Sequence, residues 1–131
     1  MQKETPTLIL KSHGLKRLKL EGKNADQYSV IPRSDFLVDC RGIKEYGLHR
    51  NDPSVYQSEI AQHCPEAVQA MVTSITESLK HLKDRRFGEH DALTRPFVVV
   101  FLCAWGCNRS PNTKAVVGGR LKALGFDVEI E

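Results

Sequence analysis

Residues 97–102 read Phe-Val-Val-Val-Phe-Leu, an unbroken apolar run that opens directly after Pro96. No other feature narrows the possible folds as much. A run this short, without polar alternation and rich in β-branched residues, suits a strand covered on both faces, as in parallel sheets with helices packed against them. The chain then turns polar through Cys103, Ala104, Trp105, Gly106, Cys107, Asn108, Arg109 and Ser110, and a helical pattern begins at Pro111. A strand that passes through a short Gly-containing loop into a helix opening at Ser-Pro is an arrangement for holding an oxyanion. Successive loop N–H groups form a concave nest, and the helix amino terminus adds partial positive charge. Arg109 supplies a planar fork that grips phosphate bidentately. Cys103 lies at the base of such a nest, where a thiolate is favoured.

The rest of the chain supplies partners for this strand. Residues 7–10 are a short apolar run and a first strand, followed by a polar loop or strand end over 11–17. Lys11, Lys16, Arg17, Lys19 and Lys23 form either a solvated face or a basic collar near a phosphate or an RNA backbone. Residues 36–42 are a second central strand: Phe36, Leu37 and Val38 are apolar, and Asp39 and Arg41 stand where the strand ends. Ligands of open α/β sheets bind outside the carboxyl ends of the strands. If the strands are parallel, Asp39 and Arg41 share an edge with Cys103 and Arg109. The competing reading is a structural Asp–Arg pair that caps the strand. Residues 43–53 show no periodicity and read as a loop beside the site, from which His49 and Asp52 either reach a ligand or stay at the surface.

Pro65 opens a long helix, with Val68, Met71, Val72, Ile75, Leu79 and Leu82 along one apolar face. Lys80, Lys83, Arg85 and Arg86 suit its carboxyl end through the macrodipole. Residues 87–95 form a loop. A second helix spans 111–124, with Ser110 as N-cap, Pro111 in the first position, and Ala115, Val117, Leu121 and Leu124 toward the sheet. The Gly118-Gly119 pair within it signals close packing, and Gly125 ends it. Residues 126–131 alternate as a last short strand. This order predicts an α/β fold: a small, mostly parallel four-stranded sheet flanked by two main helices, in a single domain over 7–131 behind a frayed amino terminus at 1–6.

Composition excludes several classes. The chain has 131 residues, 40% apolar and 27% charged, as in ordinary globular domains. No segment approaches the roughly 18 apolar residues needed to cross a bilayer, and the polar start lacks the apolar core of a secretion signal. An intracellular, cytoplasmic location without membrane contact is expected. The four cysteines, Cys40, Cys64, Cys103 and Cys107, then read as free thiols. Cys103 and Cys107 are either small buried hydrophobes or a pair able to form a reversible disulfide. Their loose spacing and the lack of a second Cys pair speak against zinc, so no metal or other cofactor is expected. A net charge of +3 does not by itself point to nucleic acid. Trp105 is either a stacking surface for a base or sugar ring or a loop anchor.

Two resemblances bear on function. Cys103-x5-Arg109-Ser110 satisfies the Cys-x5-Arg signature of cysteine phosphatases, and its surroundings resemble the low-molecular-weight phosphatase loop. The loop lies near the carboxyl end here and near the amino end in that family, and Asn108 stands where that family has its second Cys. A wider resemblance, over roughly residues 7–131, is to the carboxy-terminal domain of the RapZ family of RNase adapter proteins. It is carried by Ser12-His-Gly-Leu-Lys16, by Asp39-Cys40-Arg41 at a strand end, by the amphipathic helix over 65–85, and by the strand, loop and helix from 97 to 124. Glu45-Tyr46, Trp105-Gly106 and Asn108 depart from that family's pattern. The resemblance implies a module that binds a phosphorylated ligand (a nucleotide, a sugar phosphate or an RNA backbone) without chemical turnover. The expected pocket is Asp39, Arg41, Cys103, Ala104, Trp105, Gly106, Cys107, Asn108, Arg109 and Ser110, with His13, Lys16 and His49 on its rim. The alternative is a cysteine-dependent phosphatase with Cys103 as nucleophile, Arg109 as phosphate clamp and Asp39 as general acid. The oligomeric state is left open.

Overall fold

The computed structural model describes residues 5–14, 34–43, 52–103 and 109–131. Within them lie strands β1 (Leu8–Gly14), β2 (Phe36–Asp39), β3 (Phe97–Cys103) and β4 (Val128–Ile130). The helices are α1 (Pro53–His63), α2 (Pro65–Lys80), the single turn α3 (Leu82–Arg85) and α4 (Arg109–Ala123). The strands form one sheet in the order β2-β3-β1-β4, and every pairing is parallel. The α/β class and the four-stranded sheet expected from the sequence are what the chain adopts, with the sheet wholly parallel.

β3 is central, as its apolar run requires: Val98 is half-buried and the other residues of the strand are buried. The register sets Phe97, Val99, Phe101 and Cys103 level with Leu8, Leu10, Ser12 and Gly14 of β1, and Val38 of β2 level with Phe101. Side chains alternate along a strand, so these residues share one face. The main core forms there, where Leu8, Leu10, Val38, Phe97, Val99 and Phe101 meet Tyr56, Ile60, Val68, Ile75, Val117 and Leu121 of the helices. Val100 and Leu102 form a smaller buried cluster with Val98 on the other face.

Several local features differ from the sequence reading. β1 continues to Gly14 through Lys11, Ser12 and His13, which pair with Val100, Phe101 and Leu102. A polar stretch stays in a strand here because its backbone N–H and C=O groups bond to the neighbouring strand whatever its side chains are. The order of the chain also starts before residue 7: Pro6 is buried, and the Thr7 hydroxyl donates to Asp127 at 2.8 Å. Residues 1–4 lie outside the described residues. The helix α1 was not visible as a pattern, because Tyr56 and Ile60 are its only buried residues. Its start is nonetheless well capped. Asp52 accepts from the Val55 N–H at 3.3 Å, and Pro53 opens the first turn. Asp52 is thus a cap, which explains its presence without a ligand.

The stripe on α2 is as expected, with Val68, Val72, Ile75 and Leu79 buried. The helix breaks at His81, and Leu82 remains buried in α3. Arg86 is the C-cap residue of α3, but its side chain turns to other carbonyls. It is 4% exposed and donates to the carbonyls of Ala92, Arg95 and Pro96. It also pairs with Asp35 at 3.1 Å, whose other oxygen accepts from the Val98 N–H at 2.8 Å. This network ties the turns before β3 to the amino end of β2.

α4 begins at Arg109, so Ser110 lies inside the helix and not at its cap. It ends in a Schellman motif: Phe126 N–H donates to Leu121 O at 3.1 Å and Gly125 N–H to Lys122 O at 3.0 Å, with Gly125 at φ +97. The turn leaves Leu124 exposed, whereas Val117 and Leu121 face the core as expected. The close packing expected at the glycine pair belongs to Gly118 alone. A Cβ there would stand 2.7 Å from Ile130 Cδ1 and 3.1 Å from Leu10 Cδ1, while Gly119 meets nothing.

Candidate anion site at the carboxyl edge of the sheet

Because all strands are parallel, their carboxyl ends share one edge. β1 leads to β2, two places to one side of it, and β3 leads to β4, two places to the other. The connections from the neighbours β3 and β1 thus run in opposite directions along the sheet, and open α/β sheets bind ligands outside the carboxyl ends where the strand order reverses. Gly14 and Cys103, paired in register, stand at the two sides of that position.

Cys103 is the last residue of β3 and is 2% exposed. Its sulfur lies 3.1 Å from the hydroxyl of Ser110, which is fully buried in the first turn of α4. The contact joins the end of the strand to the start of the helix that follows it. Arg109 opens α4, and its Nη1 donates to the carbonyl of Arg41 at 3.0 Å. That bond joins the start of α4 to the turn after β2.

Asp39 and Arg41 make a close pair. Arg41 Nε donates to Oδ1 at 3.0 Å and Nη2 to Oδ2 at 2.8 Å, and the Arg41 N–H donates to Oδ1 at 3.0 Å. The hydrogen bonds from the Arg41 side chain hold the Asp39 carboxyl below the usual carboxylate range. The Arg41 N–H and the charges of Arg41 and Arg109 add to this, against an opposing push from partial burial. Both side chains stay open to solvent, at 57% for Arg41 and 53% for Asp39. The sequence left two readings of this pair, a strand cap or a ligand wall. The geometry has features of both: the carboxylate closes the Arg41–Gly42 turn, and the guanidinium remains accessible.

Between these residues lies Cys40, fully buried. Burial pushes its thiol up to about 12, a smaller opposing influence coming from Thr113. Thr113 is itself fully buried, one turn along α4 from Ser110. Asn112 accepts from Gln57 Nε2 at 3.2 Å, which locks the start of α4 to α1.

Lys114 escaped the sequence reading. It is 6% exposed; its Nζ donates to Ser12 Oγ at 3.2 Å and to the carbonyl of Glu131. Burial holds its amine below the usual lysine range, against a partial offset from Glu131. Ser110, Asn112, Thr113 and Lys114 are all polar and all buried in the structure. An ordinary amphipathic helix buries apolar residues, so polar groups on the buried face of a first turn mark a polar environment below.

Of the predicted pocket, the structure brings together Asp39, Arg41, Cys103, Arg109 and Ser110. His13 lies next to Gly14 on β1, at the same edge and paired with Leu102. Ala104, Trp105, Gly106, Cys107, Asn108, Lys16 and His49 lie outside the described residues, as do Arg17, Lys19 and Lys23. No group of His, Cys, Asp and Glu suited to a metal ion occurs among the described residues, and no helix there is long and apolar enough to cross a membrane. No protein-family model and no curated protein matches the chain.

Proposed function

We propose that this chain is a binding module for a phosphorylated ligand, held at the carboxyl ends of β2 and β3. The observation that carries the reading is the convergence of two guanidinium-bearing segments on one strand edge, joined by the Arg109–Arg41 hydrogen bond at 3.0 Å. Arg109 stands in the first turn of α4, where the helix field also favours an anion. Arg41 is oriented by Asp39, which makes its exposed fork rigid in advance of binding. Asp39 carries a negative charge into the same place, so the ligand that suits the edge combines a phosphate with hydroxyl or amine donors. A nucleotide, a sugar phosphate and an RNA backbone all have that character, and this agrees with the resemblance to the RapZ carboxy-terminal domain.

Calorimetric titration with inorganic phosphate and with a sugar phosphate tests this directly. Binding should be saturable and should weaken at least tenfold in Arg109→Ala. Equal affinity in wild type and variant would remove the reading. With RNA as titrant, the slope of log affinity against log salt counts the phosphates contacted.

One contact favours the phosphatase reading as a second possibility: the 3.1 Å approach of Ser110 Oγ to Cys103 Sγ. A hydroxyl so placed stabilises a thiolate and eases its departure from phosphorus. The 2% exposure of Cys103 opposes it, because an attacking sulfur must stand about 3.5 Å from bound phosphorus. A chromogenic aryl phosphate separates the two. Turnover that Cys103→Ser abolishes would establish the enzyme; retained phosphate binding without turnover across a range of pH supports the module.

A further inference from the structure

Three of the cysteines lie among the described residues, none of them in a disulfide. Cys64 sits at the junction of α1 and α2. The other two lie together. β2 and β3 pair Phe36 with Val99, Val38 with Phe101 and Asp39 with Leu102. The Cys40 N–H then donates to Leu102 O at 2.6 Å, which continues the parallel ladder one residue further. That step sets Cys40 opposite Cys103, on the face shared by Val38 and Phe101.

From this register we propose that Cys40 and Cys103 are an oxidisable dithiol that closes into a disulfide across the carboxyl ends of β2 and β3. Neighbouring strands are about 4.8 Å apart, inside the Cα separation that a disulfide bridges. Cys103 is the last residue of β3, and Cys40 follows the last residue of β2, directly before a turn. The electrostatic influence of Cys103 on the Cys40 thiol agrees with their proximity. The Ser110 hydroxyl lies against the Cys103 sulfur, and the Cys40 thiol, also in the core, faces the Val38 carbonyl at 4.0 Å.

The chemistry needs an oxidant of the peroxide class. The Cys103 sulfur attacks one peroxide oxygen, the O–O bond breaks, and water leaves with the thiol proton, giving a sulfenic acid. The Cys40 sulfur then attacks the Cys103 sulfur, the S–O bond breaks, and a second water leaves with the Cys40 proton. Two thiols lose two electrons to one hydrogen peroxide, and the products are one disulfide and two waters. The bond would draw Cys103 away from Ser110 and fix the Asp39–Arg41 turn against the end of β3. The dithiol is independent of the binding proposal, since it rests on register alone.

The experiment treats the folded full chain with hydrogen peroxide, blocks remaining thiols, digests with trypsin without reduction and sequences linked peptides by mass spectrometry. The expected product joins the peptide containing Cys40 to the peptide containing Cys103, through Cys103, with a loss of two mass units. It should form at least tenfold faster in the native protein than in guanidinium, because the native register preorganises the pair. A Cys103–Cys107 link, oxidation of Cys103 beyond the sulfenic state with Cys40 still reduced, or a Cys40–Cys103 link that forms only in denaturant would each overturn the proposal. The wild-type protein suffices, so no folding defect of a variant intrudes.

Discussion

Strand β2 carries an aspartate at each end, and each holds an arginine, yet the two pairs do opposite things. Asp35, before the strand, meets Arg86, whose side chain is 4% exposed and whose donors also reach three backbone carbonyls. Asp39, at the end of the strand, meets Arg41, whose side chain is 57% exposed. The first guanidinium is surrounded by acceptors fixed in the fold, and it also stands 6.0 Å from the centre of the Phe97 ring. Withdrawing it would leave backbone carbonyls without its donors and take the opposite charge from Asp35, so its place is structural. The second is held in orientation by one carboxylate and still faces water, where an ion pair contributes little to stability. Its side chain stands open to solvent, unlike that of Arg86. Among the described residues the difference is thus one of solvation: Arg86 at the amino edge is enclosed, and Arg41 at the carboxyl edge is open to water.

The largest effect should come from Arg86→Ala, with a loss of about 3–5 kcal/mol as expected for breaking a buried pair. Urea unfolding measures it; a loss under 1 kcal/mol would erase the contrast between the edges. Next comes Gly118→Leu, which presses on Ile130 and Leu10 and should cost about 1–3 kcal/mol through overpacking. Thermal unfolding reads that cost. Arg41→Ala should change stability by less than about 1 kcal/mol while weakening inorganic phosphate binding severalfold in calorimetry. A stability loss as large as that of Arg86→Ala would make the carboxyl pair structural after all.

The smallest effect is one of pH. The folded Asp39 carboxyl titrates below its unfolded value. Its contribution is therefore complete above the unfolded value and is lost as pH falls through the folded one. Side-chain NMR titration should find Asp39 still ionised where a free aspartate is half protonated, and Arg41→Ala should return it toward the ordinary value. An Asp39 that titrates normally in the intact protein would contradict the geometry of the pair.

Much of this was legible in the chain. The apolar run at 97–102 marked the central strand because a strand covered on both faces has no polar positions to alternate. The spacing from Cys103 to Ser110 showed where the strand must yield to a helix, and the Val68 to Leu82 stripe showed which face of α2 is buried. Gly125 carried its own reason, a left-handed turn that closes a Schellman cap. Other features were silent. α1 buries too few residues to show a period. The polar residues of β1 left a loop and a strand end both open, because strand membership is decided by a neighbour's hydrogen bonds. Arg86 and Lys114 looked like surface cations.

The sequence alone determined the class of fold, the central strand and the residues that gather at its end, since each follows from local periodicity and the behaviour of parallel strands. Only the tertiary structure decided which charges are enclosed. Arg86 and Arg41 have the same side chain, and Lys114 has that of the exposed Lys122. Their roles depend on burial and on acceptors from distant segments, which pair only when β2, β3 and α4 have come together. The same is true of Cys40 and Cys103, far apart in the chain and adjacent in the sheet.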